Sequence, residues 1–213
     1  MIKFGVVTCR RLFPQEVERL TAQGCCSEDW DLVQISDQAA SSGDSFSFIY
    51  NVSFSGEVKF GIFEKTFKLP GGVLKHSGMK GVTLHNVTVG DNCYIENVSN
   101  YIANYEIGCD TIIENVDVIM VDGKSCFGNG VKVSVMNETG GREVMINDKL
   151  SAHIAYIMAM YRHRPKLIEH LQDIAEFYAN KHASSVGTIG HDVIIRNTGS
   201  IANVRIGDCC TII

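Results

Sequence analysis

The sequence predicts a mainly β protein wound as a three-sided parallel β-helix, interrupted by an α-helical hairpin. Three observations carry that prediction. A six-residue pattern (aliphatic, variable, Asn, Val or Tyr, variable, apolar) recurs at residues 49–54, 84–89, 102–107 and 201–206. An aliphatic-Gly-polar step recurs at Val89-Gly90-Asp91, Ile107-Gly108-Cys109, Ile189-Gly190-His191 and Ile206-Gly207-Asp208, with an aromatic version at Phe127-Gly128-Asn129. The copies repeat at a period near 18, as from Val89 to Ile107 and from Leu84 to Ile102. Aliphatic residues about six apart (Val89, Ile95, Ile102, Ile107, Ile113, Ile119) divide each period into three sides.

The elements follow in chain order. Residues 1–48 carry no repeat and are expected to form an N-terminal extension. Within it, residues 13–24 read as a short helix, with Pro14 in the first turn and Gly24 at the end. Residues 49–147 are expected to be β-helix coils. An aliphatic side chain opens each side and points into a narrow prism. Four residues later a smaller inward side chain follows: Cys93, Thr111, Val131, Val193 or Cys210. Gly, Asp and Asn after the aliphatic tolerate the positive φ of a corner. Stacked coils then satisfy one another's backbone at about 4.7–4.9 Å spacing. Residues 148–186 form the helical insertion, with apolar stripes Leu150, Ile154, Ile157, Tyr161 and Leu167, Leu171, Ile174, Tyr178 broken at Pro165. Coils resume over 187–213. Residue 213 falls one side into a new coil, so the chain is expected to be part of a longer protein.

Composition narrows the function classes. A net charge of −5 argues against wholesale nucleic-acid binding. No run approaches the roughly 18 apolar residues of a membrane helix, so no membrane insertion is expected. The start of the chain has no export signal, and the eight cysteines therefore read as reduced thiols of a cytoplasmic protein.

Among the candidate site residues, His85 leads. Sister segments place Tyr50, Ala103 and Ala202 at its position, so the repeat does not require histidine there. Asn137, Glu138 and Arg142 belong to the loop Asn137-Glu138-Thr139-Gly140-Gly141-Arg142-Glu143, which breaks the hexapeptide rhythm. Its arginine offers a fork to a carboxylate or phosphate, or pairs with Glu138 or Glu143. His163, in Tyr161-Arg162-His163-Arg164, marks a basic spot that could meet an acidic or phosphate group. His191 takes a corner position held elsewhere by Asp91 and Asp208, and reads as a corner residue. No metal site is expected: the positions one coil from His85 hold Phe67 and Ala103, and the cysteines lack zinc spacing.

The repeat resembles the left-handed hexapeptide-repeat family, which implies the left-handed sense of winding. The run His85-Asn86-Val87-Thr88-Val89-Gly90-Asp91 is similar to the motif carrying the general base of hexapeptide acyltransferases. That resemblance implies a catalytic His85 with Asn86 beside it, working in a cleft between subunits of a homotrimer. It implies acyl transfer from acetyl-CoA or an acyl carrier protein (acyl-ACP) to an amine or hydroxyl of a sugar-type acceptor, with no bound cofactor. Leu84 stands where those enzymes usually have alanine. An imidazole titrating near 6.5 suits the proton transfer. The second reading is a non-catalytic β-helix scaffold, for oligomerisation or carbohydrate binding. Nearly the whole chain also resembles an uncharacterised bacterial family labelled as related to UDP-N-acetylglucosamine pyrophosphorylase or as acetyltransferases. The resemblance rests on Glu28-Asp29-Trp30, Leu69-Pro70-Gly71-Gly72, the 137–143 loop and Tyr161-Arg162-His163-Arg164-Pro165.

Overall fold

A computed structural model describes residues 8–37, 45–135 and 140–213. The chain is mainly β, with one large sheet and three α-helices among the described residues, and it divides into two units. The first unit comprises residues 1–121 and 186–213, and the second residues 122–185.

The elements of the first unit are β1 (Cys9–Arg11), α1 (Pro14–Ala22), β2 (Cys26–Ser27), β3 (Val33–Ser36), β4 (Ile49–Ser55), β5 (Val58–Phe60), β6 (Thr66–Lys68), β7 (Leu74–His76), β8 (Gly78–Val89), β9 (Tyr94–Ile107) and β10 (Ile112–Met120). The second unit contributes β11 (Val131–Ser134), β12 (Glu143–Ile146), α2 (Ala152–Met160) and α3 (Pro165–His182). The first unit resumes with β13 (Gly187–Ile189), β14 (Ile194–Ala202) and β15 (Thr211–Ile212).

Strands β4, β8, β9, β10, β14 and β15 pair in parallel, one after another. Only four residues separate β8 from β9, whereas a parallel pair in a flat sheet needs a crossover of a dozen or more. The chain solves this by bending within its strands. Asn86, Asn92, Asn97, Asn104, Asp110 and Asn115 all have positive φ between 52° and 60°, five to seven residues apart. Asn and Asp visit this region at least cost because their short polar side chains bond locally. Each bend redirects the strand, and the paired residue lies 18 positions on: Leu84 opposite Ile102, Val89 opposite Ile107, Ile95 opposite Ile113.

That register stacks aliphatic residues in columns. Val89, Ile107, Ile189 and Ile206 form one; Met79, Ile95, Ile113 and Ile195 a second; Leu84, Ile102, Ile119 and Ile201 a third. All are buried. Each such side chain contributes about 1.5–3 kcal/mol relative to exposure, so the columns are the principal apolar term in this unit. Cys93, Thr111 and Val193 are fully buried as the smaller inward residues, and Cys210 is half-buried. Another column is uneven. Gly187 lies opposite Tyr105, whose fully buried ring fills the space a side chain would take. Its hydroxyl donates to the Val204 carbonyl at 2.8 Å and accepts from the Val204 N–H at 3.2 Å.

The ladder extends upstream of residue 49. β2 pairs with β4 and β3 with β5, both parallel, while β1 joins β3 antiparallel. Aromatic rings fill this part of the core: Phe54, Phe60 and Phe63 stack at 6.1 and 6.3 Å, with Trp30 5.9 Å from Phe54. Helix α1 forms where the Pro and Gly signals place it. Its first turn is held by Glu16, which accepts from the Phe13 N–H and two bonds from Arg10.

The second unit corrects two expectations. Phe127 and Val131 are not inward coil residues. Phe127 is a positive-φ residue in a turn, and Val131 is half exposed in the antiparallel β11–β12 hairpin. The aromatic-Gly-Asn copy of the pattern belongs to a turn built from Gly128 and Gly130, both also at positive φ. The helical stripes are rotated as well. Helix α3 buries Ile168, Ala175 and Ala179, leaving Ile174 and Leu167 exposed, and α2 buries Met158 and Ala159. Small residues win the inner face because they admit close approach: a Cβ at Gly130 would lie 2.8 Å from the Ala179 Cβ. The core of this unit joins Val144, Met145, Met158, Ala159 and Ala175. Pro165 breaks the helices as expected, sitting in the first turn of α3.

Candidate functional site

His85 lies near the C-terminal end of β8, immediately before the Asn86 corner, and is exposed. Its ring is fixed from both sides. Nδ1 is 3.1 Å from the hydroxyl of Ser55, its register partner on β4, and Nε2 is 3.0 Å from the Asn86 amide nitrogen. The Asn86 amide orientation follows from its other bonds: Oδ1 accepts the Glu57 N–H at 3.0 Å, which turns the NH2 group toward His85. An NH2 group only donates, so Nε2 is the accepting nitrogen and Nδ1 carries the proton toward Ser55. The second Asn86 hydrogen goes to Asn104 Oδ1 at 3.3 Å. Gly56 is required beneath this pair: it has φ of 62°, and a Cβ there would lie 2.2 Å from Asn86 Oδ1. The arrangement presents an exposed, oriented imidazole whose Nε2 meets the Asn86 amide.

Arg142 and His163 belong to the second unit, and Asn137 and Glu138 lie outside the described residues. Glu143 accepts the Gly141 N–H at 2.7 Å and faces Arg162 at 3.9 Å. Arg162 also donates to the Glu143 carbonyl at 2.9 Å. Glu143 thus pairs with Arg162 rather than Arg142, and the Gly141 N–H bond holds its carboxyl below the usual range. His163 is exposed, its ring 5.5 Å from Tyr161. His191 does the work of a corner carboxylate. Its Nδ1 accepts the Cys109 N–H at 3.0 Å, as Asp208 Oδ1 accepts the His191 N–H at 2.8 Å and Asp91 Oδ1 the Ile62 N–H at 2.9 Å. Among the described residues, no three His, Cys, Asp or Glu side chains gather in a metal-binding arrangement.

A second feature escaped the sequence reading. A groove of about 730 Å³ runs along another side of the ladder, lined by Lys80, Gly81, Glu96, Asn97, Glu114, Asn115, Arg196 and Asn197. Lys80, Glu96, Glu114 and Arg196 are register partners, one per strand. Arg196 grips Glu114 through Nε at 2.9 Å and Nη2 at 2.5 Å. Lys75 bridges Glu114, Glu96 (2.8 Å) and the Tyr94 hydroxyl (2.7 Å). Burial opposes ionisation of Glu114, but the hydrogen bonds from Lys75 and Arg196 outweigh it and hold the carboxyl below its ordinary range. Beside this row the amides of Asn97, Asn115 and Asn197 form a chain, each NH2 donating to the next Oδ1 at 3.1 and 2.9 Å. The available signal was the triplet Ile95-Glu96-Asn97, Ile113-Glu114-Asn115, Ile195-Arg196-Asn197.

No helix among the described residues is long and apolar enough to cross a membrane. A protein of Treponema pallidum (strain Nichols) bearing the name "Uncharacterized protein" is 25% identical over 209 residues, covering 93% of this chain. The chain spans 28% of that relative's length. No solved structure matches. Residues 9–213 match one family throughout, and the chain accordingly belongs to the family described as "Domain of unknown function (DUF4954)".

Proposed function

We propose that the first unit is a left-handed parallel β-helix of the hexapeptide type and that it transfers an acyl group from a thioester to an amine or hydroxyl of a sugar-type acceptor. The observation that carries the reading is the placement of His85: exposed, with Nδ1 beside the Ser55 hydroxyl and Nε2 beside the Asn86 amide. This is the disposition a general base needs, since orientation by a second group fixes which nitrogen receives the proton. In the reaction the acceptor N–H or O–H displaces the Asn86 amide from Nε2. As the nucleophile attacks the thioester carbonyl its proton passes to Nε2. Collapse of the tetrahedral intermediate breaks the C–S bond, and the imidazolium returns the proton to the departing thiolate of coenzyme A or acyl carrier protein. The freed Asn86 NH2 can then donate to the acceptor. In this reading a homotrimer supplies the second wall of the cleft, in the cytoplasm where such thioesters are made.

One observation favours a non-catalytic module instead. Asn86 already occupies Nε2 and is itself tied to Glu57 and Asn104, so His85 also serves as a spacer bridging coil edges. Turnover separates the two. A screen of acetyl-CoA and longer acyl-CoA and acyl-ACP donors against amino-sugar and hydroxyl acceptors should give activity that His85→Ala lowers by roughly 10²–10⁴-fold. Turnover unchanged in His85→Ala removes His85 from the chemistry, and no turnover with any pair leaves the module reading.

A further inference from the structure

We propose that the groove along Lys80, Glu96, Glu114 and Arg196 binds a linear, uncharged glycan lying along the stack, one sugar unit to a coil. The inference is independent of acyl transfer, because His85 and its partners do not line this groove.

Periodicity is the first argument. Each strand contributes one charged side chain and, next to it, one corner residue: Gly81, Asn97, Asn115 or Asn197. The surface therefore repeats its chemistry at the strand spacing of about 4.7–4.9 Å, which suits a polymer with a repeating unit of that size. Charge is the second. Glu96 and Glu114 are neutralised by Lys75 and Arg196, and of the four charged side chains lining the groove Lys80 alone has no ion pair with a described residue. A polyanion such as a nucleic acid finds no basic track here, and no aromatic platform lines the groove for base stacking. With no aliphatic side chain in the lining, a lipid or an amphipathic helix has nothing to bury.

Hydroxyl groups fit what remains. Each carboxylate keeps acceptor sites beyond those used by Lys75 and Arg196, and each ladder asparagine keeps a second N–H and a second lone pair. A sugar hydroxyl donates to the first and accepts from the second. The network also pre-organises these groups, so a ligand would not have to order them. Glu114 is kept ionised by Lys75 and Arg196, and is thus unsuited to donate a proton to a glycosidic oxygen. The groove is built to hold a glycan rather than to cleave it.

The test is titration calorimetry with neutral tetrasaccharides of β-linked glucose, N-acetylglucosamine and mannose, against their disaccharides and against tetragalacturonate as the acidic probe. At least one neutral tetramer should bind, roughly tenfold or more tighter than its disaccharide. Asn115→Gly should weaken it about tenfold, and Gly81 shows that glycine suits this positive-φ corner. Glu96→Gln keeps the shape and a bond to Lys75, and should weaken binding as well. His85→Ala should leave affinity unchanged. Failure of every neutral tetramer, preference for tetragalacturonate, affinity unmoved in folded Asn115→Gly and Glu96→Gln, or loss of binding in His85→Ala would each overturn the proposal.

Discussion

Substituting alanine at Gly187 and at Gly199 should change stability in opposite directions. At Gly187 an added Cβ would stand 2.4 Å from Tyr105 Cε1 and 2.6 Å from Cζ. That is about 1 Å inside ordinary contact, so the ring must move. It cannot move freely, because its hydroxyl is clamped to both backbone groups of Val204. Overpacking costs about 1–3 kcal/mol and each lost hydrogen bond about 0.5–1.5 kcal/mol. Against this stands a gain of about 0.4–1 kcal/mol from a stiffer unfolded chain. The net expectation is a loss of about 2–3 kcal/mol. At Gly199 nothing lies within 4 Å of the added Cβ and φ is outside the left-handed region, so only the unfolded-state gain remains. Urea unfolding followed by fluorescence is the assay. Trp30 is the sole tryptophan and lies in the first unit, so its emission reports the ladder and not the inserted unit. Gly187→Ala as stable as the parent protein would refute the packing of Tyr105 over this glycine.

Tyr105→Phe should alter the alkaline limb of stability. Burial raises the phenol above its ordinary value, so the stabilisation is whole below the unfolded pKa near 10 and fades as pH climbs toward the folded one; urea midpoints between pH 8 and 11 should fall less steeply in the variant, and equal slopes would contradict the assignment. Val193→Ser should cost about 2 kcal/mol or more, because the side chain is wholly buried, whereas Val131→Ser should stay within about 0.5 kcal/mol. Thermal melts of the two variants check the register directly, and equal losses would restore Val131 to the inward stack.

The ladder was legible in the sequence because its physics is one-dimensional. Each inward aliphatic repeats at a fixed interval, and each corner needs Asn, Asp or Gly. The Ile102–Ile119 region satisfied both conditions at once. Phe127-Gly128-Asn129 imitated the corner chemistry without the strand that should follow, and a short local pattern cannot separate the two. The groove was hidden for the opposite reason. Lys75, Glu96, Glu114 and Arg196 are joined by three-dimensional pairing across 82 residues between Glu114 and Arg196. His85 was visible as a departure from its sisters, yet its partner Ser55 sits on the preceding paired strand β4, at an offset of 30 rather than 18.

The seam where β10 meets β14 sets an order of assembly. Ile112 pairs with Ile194 across the whole inserted unit, while neighbouring pairs such as Ile112 with Tyr94 close only one period. Closing the longer loop costs about 1.3 kcal/mol more in chain entropy, and that cost falls before any contact at the seam repays it. The parallel strands β8, β9 and β10, which follow one another with no inserted element, therefore offer the nucleus, and β14 and β15 add to a template already formed. Growth across the seam is accordingly expected to be slower than growth from β8 to β10, and residues 122–185 carry an apolar core of their own.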